Sequence, residues 1–485
     1  MPVLAIETST SSTKALLYDR DKGVLASSRE SYGILHQKGQ TDTEAVFALA
    51  MKNAERIARG KDVEAIALCG TWHSICGLDS SGSPVTPTYS WDYMDSANYA
   101  ESLRRDPSLS EAFYRRTGCM PHNTYPSYTL GYLRTQGLDT ARCRFATQGG
   151  YNFYRLTGCL RESRSTQSGS GLVNLETTDY DPFVLSWLGL DRNQLGELGT
   201  YRDTAPLSSA GAAMLGLKAG IPVIPAYPDG ALNQLGSFAG RPGIMTMSVG
   251  TSGALRLTAP QPVLPAGGEL WCYLGAEGVV SGAAVAGACN CVDWFQKKLL
   301  KGRLSFEELE GTGIGSRDIP VFLPFLYGER CPGWQGKRRG GFLQMEGCHD
   351  LSDMYHSIQA GVLLNMWQCY DILCRQNGIP REVLLSGGIL NSVHWTQMAA
   401  DILEREILAV VCPDASTMGA VALGLYTTGA LDAVTDFRAE YDKAIRFLPD
   451  PGKQAFYRRQ KERYLNAYYE SMTQTNKEAA KGEAV

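Results

Sequence analysis

The chain has 485 residues, 44% of them apolar and 20% charged, enough for two large or about three smaller domains whose cores need no disulfide or metal to fold. Lys+Arg number 46 against 50 for Asp+Glu, a formal net charge of -4, so no basic field exists to gather nucleic acid. Glu7 soon interrupts the apolar start Met1-Pro2-Val3-Leu4-Ala5 and no uncharged apolar run approaches a bilayer span, so neither a secretory leader nor a membrane helix is expected.

In chain order, Val3 to Ile6 reads as a strand, followed by a turn of small hydroxyl residues, Thr8 to Thr13, and a second strand, Ala15 to Tyr18. Asp19 to Gly23 reads as a hairpin turn before a third strand, Val24 to Arg29. A helix is expected from Thr43 toward Arg59, and a buried strand from Glu64 to Cys69, ending in Gly70. The first pattern then returns: Ile244 to Met247 leads into Ser248-Val249-Gly250-Thr251-Ser252-Gly253, then Ala254 to Leu257, so that Thr251-Ser252 overlies Thr10-Ser11. Each copy opens one half of the chain, which points to two lobes of similar construction with a cleft between them. Farther on, Asp350 and Asp353 suit a helix start, and Ile358, Val362, Met366, Cys369 and Leu373 share one helical face. Strands are expected at Arg381 to Leu385 and Ile407 to Cys412, and a small-residue helix at Met418 to Gly424. The alternation of strands and helices means an α/β architecture, divided as residues 1–243, 244–472 and a polar, fraying tail, 473–485.

The 13 cysteines are odd in number and contain no CxxC pair, which reads as small buried thiols in a reducing cytoplasm rather than a disulfide framework or zinc site. Cys289 and Cys291 have no second Cys/His pair beside them. No G-x-x-x-x-G-K-[ST], G-x-G-x-x-G or G-x-S-x-G occurs, so a P-loop, a dinucleotide fingerprint and a hydrolase elbow are unsupported.

Three constellations remain. The two hydroxyl turns expose successive backbone N–H groups to which an anion can draw close, and facing each other they could hold the phosphates of one nucleotide; two ordinary hairpins are the alternative. Asp229, in Pro228-Asp229-Gly230-Ala231-Leu232-Asn233, falls where a strand ends and a helix begins, at the edge where open α/β sheets bind ligands. It could cap the helix, or accept the proton of a substrate hydroxyl in phosphoryl transfer. Thr71-Trp72-His73 ends another strand, and Trp91-Asp92 lies on a loop; both suit sugar recognition, and both tryptophans could equally be core.

Taken together, Thr10-Ser11-Ser12-Thr13-Lys14, Asp229-Gly230 through Asn233, Met247 through Gly253, Gly328-Glu329-Arg330 and Leu385-Ser386-Gly387-Gly388 resemble the FGGY family of carbohydrate kinases, with a gluconokinase- or xylulokinase-like flavour, over about residues 3 to 450. Tyr154 through Gly158 and Asp414 through Ala420 also fit. The resemblance implies a two-lobed actin-like ATPase fold, each lobe with an RNase H-like core, and ATP-dependent phosphorylation of a small sugar, sugar acid or polyol with Mg²⁺. Asp229 would be the catalytic base. Thr71, Trp72, His73, Trp91, Asp92 and Asn233 would face the substrate. Thr10, Ser11, Lys14, Gly250, Thr251, Ser252, Gly287, Asn290, Gly387, Gly388 and Asn391 would surround the nucleotide, and Glu7 and Asp229 would serve the metal. The only partner so implied is the carbohydrate, with no nucleic acid or membrane; a homodimer stays open.

Two departures stand out. Relatives open with Asp-x-Gly-Thr, whereas this chain has Glu7-Thr8-Ser9-Thr10, so the carboxylate is one methylene longer and Ser9 adds a Cβ expected to crowd the phosphates or strain the turn. Relatives carry Trp-x-Asp-x-Arg in the sugar loop, where this chain has Trp91-Asp92-Tyr93-Met94-Asp95. Asp95 in place of arginine predicts a substrate that does not rely on a carboxylate there, since it would repel an anion. The departures also motivate a rival function, a nucleotide- and ligand-binding protein of the same fold with weak or no kinase activity; an actin-like scaffold is a further alternative.

Overall fold

The computed structural model describes residues 1–311, 317–412, 414–437 and 444–482, without the side chains of 473–482. The elements that position the site are, in chain order, strands β1 (Pro2–Thr8), β2 (Ser12–Asp19) and β3 (Gly23–Ser31), helix α1 (Thr43–Ala58), strands β4 (Ala65–Gly70), β5 (Ala205–Pro206) and β6 (Pro222–Pro228), and helix α2 (Asp229–Gly236). The second half supplies β7 (Ile244–Val249), β8 (Gly253–Ala259), β9 (Trp271–Leu274), β10 (Val279–Val285), helix α3 (Leu351–Asn377), β11 (Glu382–Ser386), β12 (Ile407–Ala409), helix α4 (Ala415–Thr427), β13 (Ile445–Phe447) and helix α5 (Gln454–Gly482).

The first sheet runs β5-β6-β4-β1-β2-β3 and the second β9-β10-β8-β7-β11-β12-β13. In each, an opening hairpin (β1–β2, β7–β8) is extended by an antiparallel strand on one side and by two parallel strands on the other. The apolar runs explain the central places: Val3, Leu4, Ala5 and Ile6 of β1 and Met245, Met247 and Val249 of β7 are all buried, as strands covered on both faces require. The hydroxyl turns are tighter than expected, since β2 already begins at Ser12, and the strand expected at Ile407 to Cys412 stops at Ala409. Helix α1 is capped by Asp42, which accepts the Ala45 N–H, and α3 opens with an Asp350–Asp353 capping box. Of the expected tail 473–485, residues 483–485 and the side chains of 473–482 lie outside the described residues.

The halves meet along two seams. Helix α4, from the second half, lies against the first sheet, sharing a core of Val3, Ala5, Ile224, Leu232, Leu235, Ala420 and Val421. It crosses α2 at backbone distance: a Cβ on Gly236 would stand 1.8 Å from the Ala415 carbonyl oxygen, and one on Gly419 would stand 2.0 Å from that of Leu232, so only glycine fits at either place. The second seam is aromatic. Trp72 packs on Tyr273 and Trp271 with ring centroids 4.8 and 5.7 Å apart, and the Tyr273 hydroxyl donates to that of Tyr125 at 2.8 Å. The described cysteines are all unpaired thiols, most of them buried.

Candidate active site

The cleft between the halves holds a cavity of about 680 Å³. One wall carries Trp91, Asp92, Arg104, His122 and Asn123, and the other Thr251, Ser252, Asn290, Tyr327 and Arg330. The first hydroxyl turn reaches it through Trp91, whose indole N–H donates to Thr10 Oγ1 at 2.9 Å. Each turn closes on one backbone bond of 3.0 Å, Ser9 N donating to Ser12 O in the first and, in the second, one residue shorter, Gly250 N to Ser252 O. Ser9 does not strain its turn. Neither Ser9 nor Gly250 is among the residues with positive φ, and the Ser9 hydroxyl instead donates to Ser12 O at 2.8 Å.

The expected nucleotide residues converge around the second turn. Cys289 N donates to Gly250 O at 2.8 Å, and the Asn290 side chain closes its own loop on Ala288 N and Ala286 O, both at 2.8 Å. At the end of β11, Gly387 has φ +100°, and a Cβ there would lie 2.5 Å from the Val249 oxygen, so glycine alone permits this approach. Gly388 follows beside Cys289, Gly287 abuts the Pro324 carbonyl, and Asn391 ends the exposed turn after β11.

Glu7 lies within the buried part of β1, opposite Lys14 of β2. Its two carboxylate oxygens accept the hydroxyls of Ser416 (2.9 Å) and Thr417 (2.8 Å) at the start of α4, while Lys14 stands 3.4 Å from Glu7 and 2.9 Å from Asp414. The extra methylene relative to aspartate therefore serves a bond from one half of the molecule to the other. Burial works against the Lys14 charge, but Glu7 and Asp414 outweigh it and its pKa is raised.

Asp229 is the first residue of α2 and only partly exposed. It is no cap: Oδ1 takes the adjacent Gly230 N–H at 2.7 Å, and the helix start carries no side-chain cap. Burial raises its pKa to about 6; Arg256 lowers it, Glu7 raises it, and the Gly230 and Trp72 amides lower it. The Cys69 thiol senses both acids, its pKa raised well above the usual value by burial first, then by Glu7 and Asp229. Asp229 does not line the large cavity; its charge acts on Arg256, which in turn feels Arg330 on the cavity wall. Two carboxylates close together suit Mg²⁺, which takes one or two protein carboxylates and fills its octahedron with water and phosphate. The hydroxyls on both Glu7 oxygens favour contact through such waters. Among the described residues no group of three or more His, Cys, Asp or Glu could hold a metal by itself.

The sugar-side residues divide. Trp72 is core, its indole N–H donating to Ser165 O at 2.8 Å. Thr71 is buried beside it. His73 Nδ1 lies 2.6 Å from Gly169 O; burial first, and then Arg330, hold the ring neutral with a pKa of about 3, so Nδ1 carries the proton and Nε2 is left as an acceptor. Asp92 lines the cavity with one oxygen bound to His36 at 2.9 Å and the other, Oδ1, buried without a partner. Asn233, one helical turn beyond Asp229, lines a separate small void with Thr246, Ser386 and Ala415. Asp95 is not among the residues lining the large cavity.

Three residues of this region escaped the sequence reading. Arg256 interrupts an otherwise small and apolar strand, which is a readable signal. Arg330 was visible only as part of Gly328-Glu329-Arg330. His122, which accepts the Thr124 N–H at Nδ1 and so keeps its proton on Nε2, left no signal.

Known proteins resemble this chain in sequence and in fold. Residues 2–236 match the N-terminal domain model of the FGGY family of carbohydrate kinases, and residues 245–428 match its C-terminal domain model. A gluconokinase of Bacillus subtilis (strain 168) is 26% identical over 89% of this chain and 88% of its own length. A xylulose kinase of Streptomyces rubiginosus is 27% identical over 88% of each chain. Among solved structures, a gluconate kinase from Lactobacillus acidophilus superposes with a TM-score of 0.90 at 24% identity, covering 96% of this chain and 97% of that one. No helix among the described residues is long and apolar enough to cross a membrane. The fold is thus a two-domain, actin-like α/β ATPase fold, and the chain belongs to the FGGY family of carbohydrate kinases.

Proposed function

We propose that this kinase transfers the γ-phosphoryl group of ATP to a hydroxyl of a small sugar, sugar acid or polyol, with Asp229 as the general base. Residues 1–243 form the sugar-binding lobe, residues 244–472 the ATP-binding lobe, and each lobe is built on an RNase H-like core. The observation that carries this reading is the Asp229 carboxylate: it stands where strand β6 gives way to helix α2, with a pKa raised to about 6, ionised at neutral pH yet basic enough to take a proton.

In the reaction, the Asp229 carboxylate accepts the proton of the substrate hydroxyl as that hydroxyl's oxygen bonds to the γ-phosphorus. The bond from that phosphorus to the bridging oxygen breaks, and ADP leaves with the electron pair. Backbone N–H groups of the turns at Thr10-Ser11 and Gly250-Thr251-Ser252, with Lys14, stabilise the charge on the transferred group. Mg²⁺, when bound with the nucleotide, supplies charge neutralisation between phosphate oxygens; Asp229 and, through water, Glu7 would hold it. Closure of the lobes excludes water as a competing acceptor.

Asp229→Asn should reduce phosphoryl transfer by about 10³-fold or more, with nucleotide affinity unchanged in a direct binding measurement; full activity would remove the base. The same change should stabilise the protein. The folded pKa of about 6 lies above the ordinary 3.8, so stability is lost as pH rises through this window, and above it the ionised carboxylate costs up to roughly 3 kcal/mol. The variant should therefore melt a few degrees higher at pH 7.5 and show no such gain at pH 4.

A second reading, a ligand-binding protein with weak or no kinase activity, draws support from Glu7, whose two oxygens are already engaged by Ser416 and Thr417. ATP consumption over a panel of pentoses, hexoses, polyols and sugar acids separates the two, because only the kinase couples turnover to a particular carbohydrate.

A further inference from the structure

We propose that Arg256 and Arg330 set the substrate class of this cleft, and that the accepting substrate is a small sugar acid whose carboxylate sits between their guanidinium groups. This rests on the kinase reading above and adds to it the chemistry of the acceptor.

Arg256 lies in the middle of β8 among buried Leu255, Leu257 and Ala259. Its Nε is cut off from solvent and has no partner, and its guanidinium makes no hydrogen bond or ion pair with any described residue. Arg330 repeats the pattern on the cavity wall: its Nε is buried and unpartnered, and its guanidinium carbon lies 5.9 Å from the centre of the Trp91 ring. The two cations act on each other, since burial first and Arg330 in addition lower the Arg256 pKa, with Asp229 opposing.

Unpaired charge in a desolvated setting is costly, and proteins normally pair it. This protein does so elsewhere: the fully buried Arg338 bonds Glu329 at 2.8 Å. None of the acids of the cavity wall forms an ion pair with Arg256 or Arg330. Glu329 is held by Arg338 and Tyr468, Glu101 by Lys337 and Arg105, and Asp92 by His36. Asp229 is the one acid that acts on Arg256, and it forms no ion pair with it. Two neighbouring guanidiniums left without an anion form a fork for a bidentate oxyanion.

Carboxylate and phosphate share that chemistry, and the surroundings favour the carboxylate. Arg256 Nε is 3.3 Å from where a Cβ on Gly230 would be, next to Trp72 and the base-bearing end of α2. Neutral His73, packed against Trp72 and Tyr273, leaves Nε2 as an acceptor, and His122, on the cavity wall, keeps its proton on Nε2 as a donor. An acid-recognising fork, a hydroxyl acceptor, a hydroxyl donor and a base in one cleft describe a polyhydroxylated carboxylate.

The test measures binding to the intact protein without nucleotide, comparing gluconate and a five-carbon aldonate with their matching neutral alditols. The aldonates should bind at least about 100-fold more tightly than the alditols, as expected when a site's buried charges are left unpaired by the analogue. In Arg256→Met and in Arg330→Met that ratio should collapse toward one, and Arg256→Lys should restore part of it; nucleotide binding reports that each variant is folded. Equal or tighter alditol binding by the wild type would overturn the proposal. So would variants that keep the acid-to-alditol ratio while losing inhibition by inorganic phosphate, since the fork would then belong to the transferred phosphoryl group. A neutral sugar phosphorylated efficiently without aldonate binding refutes this inference and leaves the kinase reading intact. Aldonate binding with no phosphorylation of any carbohydrate refutes the kinase reading and leaves the fork in place.

Discussion

The hairpins β1–β2 and β7–β8 are the same object built twice, and their chemistry is opposite. Each is a central antiparallel pair closed by a short hydroxyl turn with one amide-to-carbonyl bond of 3.0 Å. In the first, the facing pair two residues before the turn is Glu7 with Lys14; in the second it is Ser248 with Ala254. The first hairpin is thus charged and tied by its acid to α4, whereas the second is neutral at its mouth and keeps its one charge, Arg256, deeper in the sheet. What repeats is the geometry that exposes backbone N–H groups. The charges have been divided, so that each turn can meet a different part of one reaction.

Substitutions at paired positions sharpen that contrast. The largest effect is expected at Glu7: Glu7→Gln keeps hydrogen-bonding capacity toward Ser416 and Thr417 but removes the charge, and kcat should fall by about 10- to 100-fold, while Ser248→Ala at the matching position should leave kcat within about twofold. Equal losses at both would show the hairpins to be functionally alike. An intermediate effect concerns pH. Glu7 raises the Asp229 pKa, so whatever activity Glu7→Gln retains should show its acid limb at lower pH than the wild type; an unshifted limb would uncouple the two carboxylates. The smallest effect is expected at the turns. Ser9→Gly removes the bond to Ser12 O and adds backbone freedom, costing about 1 kcal/mol and read as a small drop in Tm. Gly250→Ser should fold normally, since a Cβ there meets only Ser252 O at 3.8 Å. A large loss of stability in it would mean that the two turns are not equivalent.

The repeated hairpins were legible because their apolar strands and hydroxyl turns are local features, and local pattern is what a sequence carries openly. Asp229 was legible for a similar reason, as an acid between a proline-bounded strand and a helix. Arg256 left a signal, a charge inside a small apolar strand, but its burial was not legible, because a charge on a strand reads as a solvent-facing residue until both sheet faces are known to be covered; Arg330 lies on a loop and was visible only within Gly328-Glu329-Arg330. The cavity is assembled from segments near residues 91, 122, 252 and 330, whose proximity is a property of topology rather than of any one segment. Ser9 misled because glycine in the turn suggested a left-handed backbone, and the turn does not adopt one.

The most direct test of the account is the pH dependence of kcat/KM for phosphoryl transfer in the wild type and in Asp229→Asn. The account predicts that the wild-type rate falls as pH drops through about 6, where the Asp229 carboxylate takes up its proton, and that the slow residual rate of the variant lacks this limb. A variant that keeps both the rate and the limb would contradict it.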